Sequence, residues 1–505
     1  MAQPPLGLSL RPHPHLYEIH TWVWLSELSQ KYGRPIRLGD VPDQEWDDFK
    51  ARGFDCVWLM GIWQRSQASR SIAREDPQLR REYDRALPDW EPSDVVGSPY
   101  AIRAYQPDSS LATWKDLDEV RDKLHHRGMK LILDFVPNHT ALDHTWVTSH
   151  PDYYIQGTKR DYDNSPSAFI PIHIQHQTHY LAHGKDPYFP AWTDTVQLNY
   201  WQETTRSALL QELQHLAQHC DGIRCDMAML ILNKIFRDTW AACIDEKAQP
   251  TQEFWSQAIR LIPNFIWIAE VYWDLEWELQ QLGFHFTYDK RLYDRLRHSS
   301  PQDIALHLTA DVAYQNRLVR FLENHDEPRS AETFGPDHLP AFATLTGTLP
   351  GMRLYHHGQL EGKRIRTPVQ LGRHRDEPIN PDILALYEGL LLITNEDVFH
   401  IGEWHLLSMQ SAGNTTFKNL IAYQWQSSSA WKIVIVNVSS DLSQGYLTLS
   451  DVPPFSALPR HSYLFQEQLT AQTNAYSYDA LMQQGLPITL SPFGAQIFAV
   501  SPQPQ

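Results

Sequence analysis

Cysteine is scarce in this chain, with only four among 505 residues. None of the four forms a C-x-x-C pair, and Cys56 and Cys225 lie within apolar, strand-like runs. This pattern favours buried free thiols in a reducing compartment over a framework of disulfides.

Long apolar runs and an excess of basic residues are also lacking. No run of about 18 apolar residues exists, so the sequence predicts no helix that spans a membrane. The first twenty residues lack a basic segment followed by a long apolar stretch, so we expect no signal peptide and a cytoplasmic protein. The formal charge of −17 argues against nucleic acid or an anionic membrane surface as a partner. The sequence leaves the oligomeric state open.

Apolar and aromatic residues, in contrast, are plentiful. Hydrophobic residues make up 42% of the chain, and there are 18 tryptophans and 22 tyrosines. At roughly 150 residues per domain the length suggests about three domains, although a barrel runs longer as one unit. The aromatic side chains suit either a large core or flat surfaces on which a ligand such as a sugar stacks.

Short apolar runs recur along the chain, and longer segments with helical periodicity, such as residues 204–219, separate them. Strands that alternate with helices are typical of parallel βα units, and eight of them predict a (β/α)₈ TIM barrel of the α/β class. The predicted strands are residues 16–22, 54–62, 130–136, 222–228, 265–271, 284–289, 318–325 and 352–358.

Two parts of the chain depart from this alternation. Residues 140–200 are rich in His, Tyr, Pro and Asp without a clean period, which predicts an irregular subdomain inserted after the third strand. After about residue 396, β-type runs follow one another without helical partners, which predicts a C-terminal antiparallel β domain. The predicted domains are residues 1–139 and 201–395 for the barrel, 140–200 for the inserted subdomain and 396–505 for the β domain.

Polar residues interrupt the apolar strands near their C-terminal ends, where the reactive groups of a barrel stand. Arg224 and Asp226 lie two positions apart in an apolar run and so point to the same face of a strand. A buried charge is costly unless it is paired or put to use. The other strand ends carry Asp134, Asn138 and His139 after the third, Glu270 after the fifth, and His325 and Asp326 after the seventh.

Each of these groups also has an ordinary structural interpretation. For Asp134 we favour a helix cap or a buried ion-pair partner. Asp226 alone would serve to neutralise Arg224, Glu270 alone would be a solvated carboxylate, and His325 alone a core histidine. Four strand ends that agree with one fold are poorly explained in this way, so we expect one site at the mouth of the barrel.

Four short segments carry a family resemblance. DFVPNH, GIRCDMAML, AEV and ENHD, in this order and at these spacings, resemble the four signature segments of the α-amylase family, glycoside hydrolase family 13. LYHHGQLEG, residues 354–362, is similar to the end of the family's eighth strand. The resemblance covers about residues 15–395 and implies the barrel, the inserted subdomain and the C-terminal domain.

The resemblance implies a role for each matching carboxylate. Asp226 matches the family's nucleophile and Glu270 its acid/base, a pair that must stand about 5–5.5 Å apart for a retaining reaction. Arg224 would keep Asp226 ionised and oriented. Asp326 matches the third catalytic carboxylate, which grips sugar hydroxyls as the ring flattens toward the transition state.

The same resemblance implies contacts with the substrate. His139 and His325 match histidines that hydrogen-bond hydroxyls of one sugar. Tyr100, in the segment GSPYAIRAY, matches the aromatic residue under the sugar at the cleavage site.

Met229 and Leu230 depart from the family pattern, because family α-amylases usually have Lys and His there. That pair helps to hold the acceptor sugar, and the histidine carbonyl often helps to bind a structural calcium. Asn138 matches a calcium-ligand position, but an asparagine after a strand is more often a turn residue. We therefore expect no tightly bound calcium, no other metal and no cofactor.

Four histidines of the insertion, namely His173, His176, His179 and His183, match no tight metal-ligand spacing. We expect them on a solvated surface or, beside the cleft, in contact with substrate.

The resemblance implies a retaining glycoside hydrolase that acts on α-1,4-linked glucans or malto-oligosaccharides through a covalent glycosyl-enzyme intermediate. A 4-α-glucanotransferase would use the same carboxylates and pass the intermediate to another sugar. Met229 and Leu230 would favour such transfer by making the floor of the cleft more apolar. A remote alternative is a non-catalytic sugar-binding protein with an amylase fold, but such proteins typically lose carboxylates and none is lost here.

Overall fold

Eight parallel strands form a closed barrel in the computed structural model, which describes residues 10–174, 176–449 and 462–503. Their order around the barrel follows the chain. The strands, labelled β1 to β8, are His15–His20, Cys56–Met60, Lys130–Phe135, Gly222–Cys225, Ile266–Ala269, Phe286–Tyr288, Leu318–Arg320 and Met352–His356. The predicted (β/α)₈ barrel is confirmed, although most strands are shorter than the apolar runs that predicted them.

The barrel strands are apolar because side chains on both of their faces are covered. Every residue of β4 and β5 is buried, as expected for parallel strands that lie under helices. Gly222 starts β4 opposite Ile132 and Ile266. A Cβ atom there would lie 2.5 Å from the Cβ of Ile266, so a larger residue would push the strands apart.

Helices follow the strands along the chain. The predicted helix at 204–219 is observed at Glu203–Leu216, with Leu209, Leu213 and Leu216 buried. The other helices are Thr21–Tyr32, Asp43–Ala51, Gln67–Glu75, Pro77–Ala86, Trp114–His126, Thr145–Ser149, Lys159–Asn164, Asn233–Trp240, Phe254–Leu261, Glu276–Leu282, Lys290–His298, Pro301–His307, Val312–Gln315, Ser330–Thr333, Gly335–Thr348, Pro381–Thr394, Val398–Ile401 and Tyr478–Gln484.

The insertion after β3 is more regular than its composition predicted. Strands Phe169–Ile174 and Gln177–Ala182 pair antiparallel, and Gln156–Gly157 extends this sheet. A second ladder joins His139–Ala141 to Thr195–Gln197. A subdomain is inserted after β3, as predicted, but the expectation that it is irregular was wrong. Histidines and prolines hide the period of two in a sheet whose side chains are mostly half-exposed. The antiparallel pairing of Trp63–Arg65 with Ile102–Pro107, which both follow β2, was not predicted.

The C-terminal part of the chain contains antiparallel sheets, as predicted. Six strands form one sheet and three form another; in chain order the nine are Glu403–Leu407, Met409–Ser411, Leu420–Gln426, Trp431–Asn437, Ser443–Leu447, Ser462–Glu467, Thr473–Ser477, Leu486–Leu490 and Ala495–Pro502. The expectation that no helix accompanies them was wrong. Ser477 caps the helix Tyr478–Gln484 by accepting a hydrogen bond from the Ala480 N–H. One of the β-type runs predicted after residue 396, residues 446–452, lies partly outside the described residues.

The chain divides by its internal contacts into two compact units. One comprises Tyr17–Tyr288 and Ile365–Asp376, and the other the described residues of Met1–Leu16, Asp289–Arg364 and Glu377–Gln505. The domain boundaries predicted at residues 140, 201 and 396 stay predictions. Within the described residues, no helix combines the length and apolar character needed to cross a membrane.

Candidate active site

The buried pair Arg224 and Asp226 stands at the C-terminal end of β4. Arg224 lies beside Asp134 in the register with β3 and is fully buried. Its Nη1 donates to Oδ1 of Asp226 at 2.7 Å. The Asp226 N–H continues the ladder by donating to the Phe135 carbonyl at 2.8 Å. The predicted pairing of arginine and aspartate on one face is therefore present.

The same guanidinium also reaches the acid predicted at the end of β5. Nη2 of Arg224 lies 2.9 Å from Oε2 of Glu270, and Nη1 lies 3.9 Å from Oδ1 of Asp134. Burial lowers the pKa of Arg224, but Glu270, Tyr100, Tyr288 and Asp226 together raise that pKa well above its usual value. The arginine is thus a permanent cation between carboxylates, and Asp134 is the buried ion-pair partner that the sequence suggested.

Aromatic rings surround the guanidinium. Its carbon lies 5.2 Å from the ring centroid of Trp58, 5.3 Å from that of Tyr100 and 5.6 Å from that of Tyr288. Such contacts favour a cation and exclude water from it. Tyr100 was predicted as a site residue. The contacts of Trp58 and Tyr288 with Arg224 were not predicted, because both residues belong to apolar strands that have no other signal.

Glu270 accepts two further hydrogen bonds that the sequence did not predict. The Met227 N–H donates to Oε2 and the Tyr272 hydroxyl donates to Oε1, both at 2.7 Å. Met227 has a left-handed backbone, with φ of 42°, which is uncommon for a residue other than glycine. Tyr272 could have been identified as a partner of Glu270 from the sequence, because residues two positions apart in an extended segment point to the same side.

His139 lies beside Tyr100, since its ring hydrogen-bonds to the Tyr100 backbone. Its ring centroid is 5.2 Å from that of Trp192 in the insertion. Burial lowers the pKa of His139 to about 4, so the ring is neutral near pH 7. A neutral imidazole can both donate and accept a hydrogen bond, which suits contact with hydroxyl groups.

Asp326 and His325 belong to the second compact unit, where they follow β7. The His325 ring is buried, and its Nε2 lies 3.0 Å from Oδ2 of Asp326. The Asp326 side chain is 47% exposed. Asn324 shapes this turn, because its Oδ1 accepts hydrogen bonds from the N–H groups of Asp326 and Glu327. The structure thus joins Tyr100, His139, Arg224, Asp226 and Glu270 within one unit and His325 with Asp326 in the other.

Comparison with known proteins identifies the family. The family model described as "Alpha amylase, catalytic domain" matches residues 46–365, which is more than half of the chain. The chain belongs to the α-amylase family. This confirms the resemblance carried by the four signature segments.

Relatives and solved structures of this family extend the comparison. Alpha-amylase MalA of Haloarcula japonica is 25% identical over 288 residues, which cover 54% of this chain and 37% of the relative. Alpha-amylase 3 of Dictyoglomus thermophilum is 25% identical over 300 residues, covering 53% of this chain and 55% of the relative. The chain therefore spans between about a third and about half of the length of these curated relatives. The crystal structure of a noncanonic maltogenic alpha-amylase, AmyB from Thermotoga neapolitana, matches with a TM-score of 0.66 and 19% sequence identity. The match covers 96% of this chain and 98% of that chain, and it supports the fold alone.

The residues at the α-amylase family's calcium position do not fit the ion well. Asn138 is buried, and its amide pairs with that of Gln197 through two hydrogen bonds of 3.0 Å. The insertion also contains aspartates that match no family ligand position; of these, Asp161 and Asp186 accept backbone hydrogen bonds in their own turns, and Asp163 pairs with Lys159. Within the described residues, no group of three or more His, Cys, Asp or Glu side chains could hold a metal ion. Asn138 is thus held by a protein partner, and no chemical step is assigned to a metal.

The histidines of the insertion have different environments. His173 contacts Thr178 and His179 contacts Gln156, both in exposed hydrogen bonds. His183 is buried and donates to the Thr195 carbonyl at 2.8 Å. His183 is therefore a structural residue and does not lie on a solvated surface.

Met229 and Leu230, which replace the family's Lys and His, are buried. They are 0% and 3% exposed and lie in the turn Ala228–Ile231. The Trp255 indole N–H donates to the Ala228 carbonyl at 2.8 Å and holds this turn. The expectation that the pair makes the cleft floor more apolar was therefore wrong, since neither residue offers a surface to a sugar.

Proposed function

We propose that the protein is a retaining glycoside hydrolase that acts on α-1,4-linked glucans or malto-oligosaccharides. The observation that carries the proposal is one buried guanidinium that contacts both Asp226 and Glu270, at 2.7 and 2.9 Å. Retention needs a nucleophilic and a proton-donating carboxyl group roughly 5–5.5 Å apart, and a shared arginine supports such a close pair.

The proposed reaction has two steps. Asp226 attacks the anomeric carbon while Glu270 gives its proton to the departing oxygen, which leaves a glycosyl ester on Asp226. Glu270 then takes a proton from water, and the water oxygen replaces the carboxylate at the anomeric carbon. Because Oε2 of Glu270 faces Arg224 and the Met227 N–H, the transferable proton belongs on Oε1, beside Tyr272.

The remaining residues are proposed to bind the sugar. Tyr100 would stack under the ring at the cleavage site, and neutral His139 would hydrogen-bond its hydroxyls. Asp326 and His325 are assigned to the same sugar by their place in the segment ENHD. The names of the relatives, two alpha-amylases, support an α-glucan as the substrate class.

Location and cofactor use are part of the proposal. All four cysteines are free, and Cys56, Cys220 and Cys225 are buried, which supports a reducing compartment such as the cytoplasm. The reaction as written needs no cofactor.

The deciding experiment is the variant Asp226→Asn. The amide keeps the shape of the carboxylate but cannot attack the anomeric carbon, so turnover of maltotriose should fall by roughly a thousandfold or more. Asp479→Asn, on the exposed first turn of the helix Tyr478–Gln484, is the matched control and should keep full activity. Activity of Asp226→Asn within tenfold of the wild type would contradict the nucleophile, and a wild type that binds maltotriose without cleaving it would favour the non-catalytic alternative.

A 4-α-glucanotransferase remains the second candidate, since it uses the same carboxylates. Chromatography of products from maltotriose separates the two functions. Glucose and maltose alone indicate hydrolysis, whereas sugars longer than maltotriose indicate transfer.

A further inference from the structure

The turn after β7 presents one exposed carboxylate between two buried ends. The Asp326 side chain is 47% exposed, whereas Glu323 before it and Ser330 after it are 0% and 1% exposed. A side chain that binds a transition state has to be held within about 0.5 Å of its productive position. The groups that hold Asp326 must therefore belong to the buried ends of the turn.

The carboxylate of Glu323 closes this turn on itself. Its Oε2 accepts two hydrogen bonds from Ser330, one from the N–H and one from the hydroxyl, both at 2.7 Å. Its Oε1 accepts a hydrogen bond of 2.7 Å from Nη1 of Arg329. Within the closed turn, Oδ1 of Asn324 accepts a hydrogen bond from the Asp326 N–H at 2.9 Å. One buried side chain thus joins the two ends of the segment that carries Asp326.

The same carboxylate ties the turn to the end of β8. Nδ1 of His356, the last residue of β8, lies 3.0 Å from Oε1 of Glu323. Nη1 of Arg329 also donates to the His357 carbonyl at 2.6 Å. Burial raises the pKa of Glu323, but Arg329 and His356 outweigh burial and lower that pKa to about 2. Glu323 is therefore an anion at neutral pH.

Stability alone does not require these buried charges, because replacing a buried ion pair with well-packed apolar residues is often neutral or stabilising. A buried network of hydrogen bonds does, however, hold its members in one arrangement. Here that arrangement extends to Asp326, because residues 324–328 form a short turn whose two ends are both fixed. The exposed carboxylate thereby gains a defined position.

We propose that Glu323 is a positioning residue that aligns Asp326 with the sugar in the transition state. The inference rests on the proposed function and deepens it, because it assigns the alignment of the third carboxylate to a buried group that no sugar can touch. Glu323 acts through Asp326, so its loss weakens binding of the transition state more than binding of the substrate.

The test is a double-mutant cycle between Glu323 and Asp326, measured with α-maltosyl fluoride, a donor reactive enough for slow variants. Glu323→Gln keeps the shape of the side chain and removes its charge. It should lower kcat about tenfold and leave KM within about twofold of the wild type. In an Asp326→Asn background the same change should lower kcat by less than about twofold, because the group that Glu323 positions is already lost.

Inhibition by acarbose separates positioning from a loss of folded enzyme. The flattened ring of acarbose resembles the sugar in the transition state, and its inhibition constant does not depend on the fraction of enzyme that is folded. Glu323→Gln should raise this constant by about the factor by which it lowers kcat/KM. Glu332→Gln is the matched control and should change neither quantity, because Glu332 forms an exposed ion pair with Arg364.

Ser330→Ala provides the test if Glu323→Gln does not fold. It removes one hydrogen bond to Oε2 of Glu323 and leaves the charge, so kcat should fall about threefold with KM unchanged, and this loss too should vanish in the Asp326→Asn background.

Three results would contradict the inference at different levels. Equal losses in the wild-type and Asp326→Asn backgrounds, or an unchanged acarbose constant, would overturn the positioning role while the proposed hydrolase stands. An Asp326→Asn variant as active as the wild type would overturn the role of Asp326 and the inference with it. A wild type that cleaves neither maltotriose nor α-maltosyl fluoride would overturn the proposed function itself.

Discussion

At the scale of single residues, Arg224 organises the charges of the candidate site. It contacts Asp226 and Glu270 directly and lies 3.9 Å from Asp134, so one cation stabilises a group of buried carboxylates. Removing one partner of a buried ion pair typically costs about 3–5 kcal/mol, because the other charge is left uncompensated. The arginine is therefore as much a requirement of the fold around β4 as of the chemistry.

Glu270→Gln tests the role of the proposed acid. Glutamine cannot protonate a departing oxygen, so hydrolysis of maltotriose should fall about a hundredfold or more. The fluoride of α-maltosyl fluoride needs little protonation as it departs, so formation of the glycosyl ester should survive and appear as a burst of fluoride release. Added azide should accelerate the slow release that follows the burst, because azide attacks the anomeric carbon of the glycosyl ester without help from a general base. Equal losses on both donors, without rescue by azide, would show that Glu270 is not the acid.

The residues predicted from sequence are those whose charge is conspicuous in an apolar run. Arg224, Asp226 and Glu270 stand out in this way at strand ends. Tyr272 and the Met227 N–H were not predicted, because a tyrosine in a loop has many uses and a backbone group carries no sequence signal. Their contacts with Glu270 depend on local backbone conformation, including the left-handed Met227.

At the scale of elements, the barrel strands were predictable from the sequence, whereas the sheet within the insertion was not. A strand covered on both faces needs apolar residues throughout, which makes it visible in the sequence. The hairpin of Phe169–Ile174 and Gln177–Ala182 has mostly half-exposed side chains, so its composition is mixed and its period is hidden. The burial of Met229 and Leu230 was not predicted, because a match to family segments gives the position of a residue along the chain but not the direction of its side chain.

The prediction that no calcium is tightly bound concerns the insertion and the residues next to it. Asn138 precedes the ladder of His139–Ala141 with Thr195–Gln197, and its side-chain oxygen accepts a hydrogen bond from the Gln197 amide. We therefore expect a chelator such as EDTA to change the midpoint of thermal unfolding by less than about 2 °C, because we predict that no tightly bound calcium contributes to stability. A larger fall in the midpoint that added calcium reverses would contradict this expectation.

At the scale of the whole molecule, buried neutral histidines make stability depend on pH. Burial, with the nearby cations Arg353 and Arg11, lowers the pKa of His400 to about 3. Burial, Arg353, His400 and Arg320 lower the pKa of His13 well below its usual value. Burial lowers the pKa of both His139 and His144 to about 4. In the unfolded chain these imidazoles take up a proton near pH 6.5, whereas in the folded chain they take it up only at a lower pH.

The free energy of unfolding should therefore fall with pH below about 6.5, before the carboxylates take up protons. In that range the unfolded chain binds more protons than the folded chain, and each such histidine contributes up to about 1.4 kcal/mol per pH unit. The thermal midpoint, measured from pH 7.5 to 4.5, should fall by several degrees. His400→Gln should flatten the dependence of the midpoint on pH, because glutamine does not titrate in this range. The fold should survive the change, because Nδ1 of His400 donates to the carbonyls of Pro12 and His13 and an uncharged amide can replace this contact. The exposed His405→Gln serves as the control and should keep the wild-type slope, whereas a wild-type midpoint that stays constant down to pH 4.5 would contradict the role of the buried histidines.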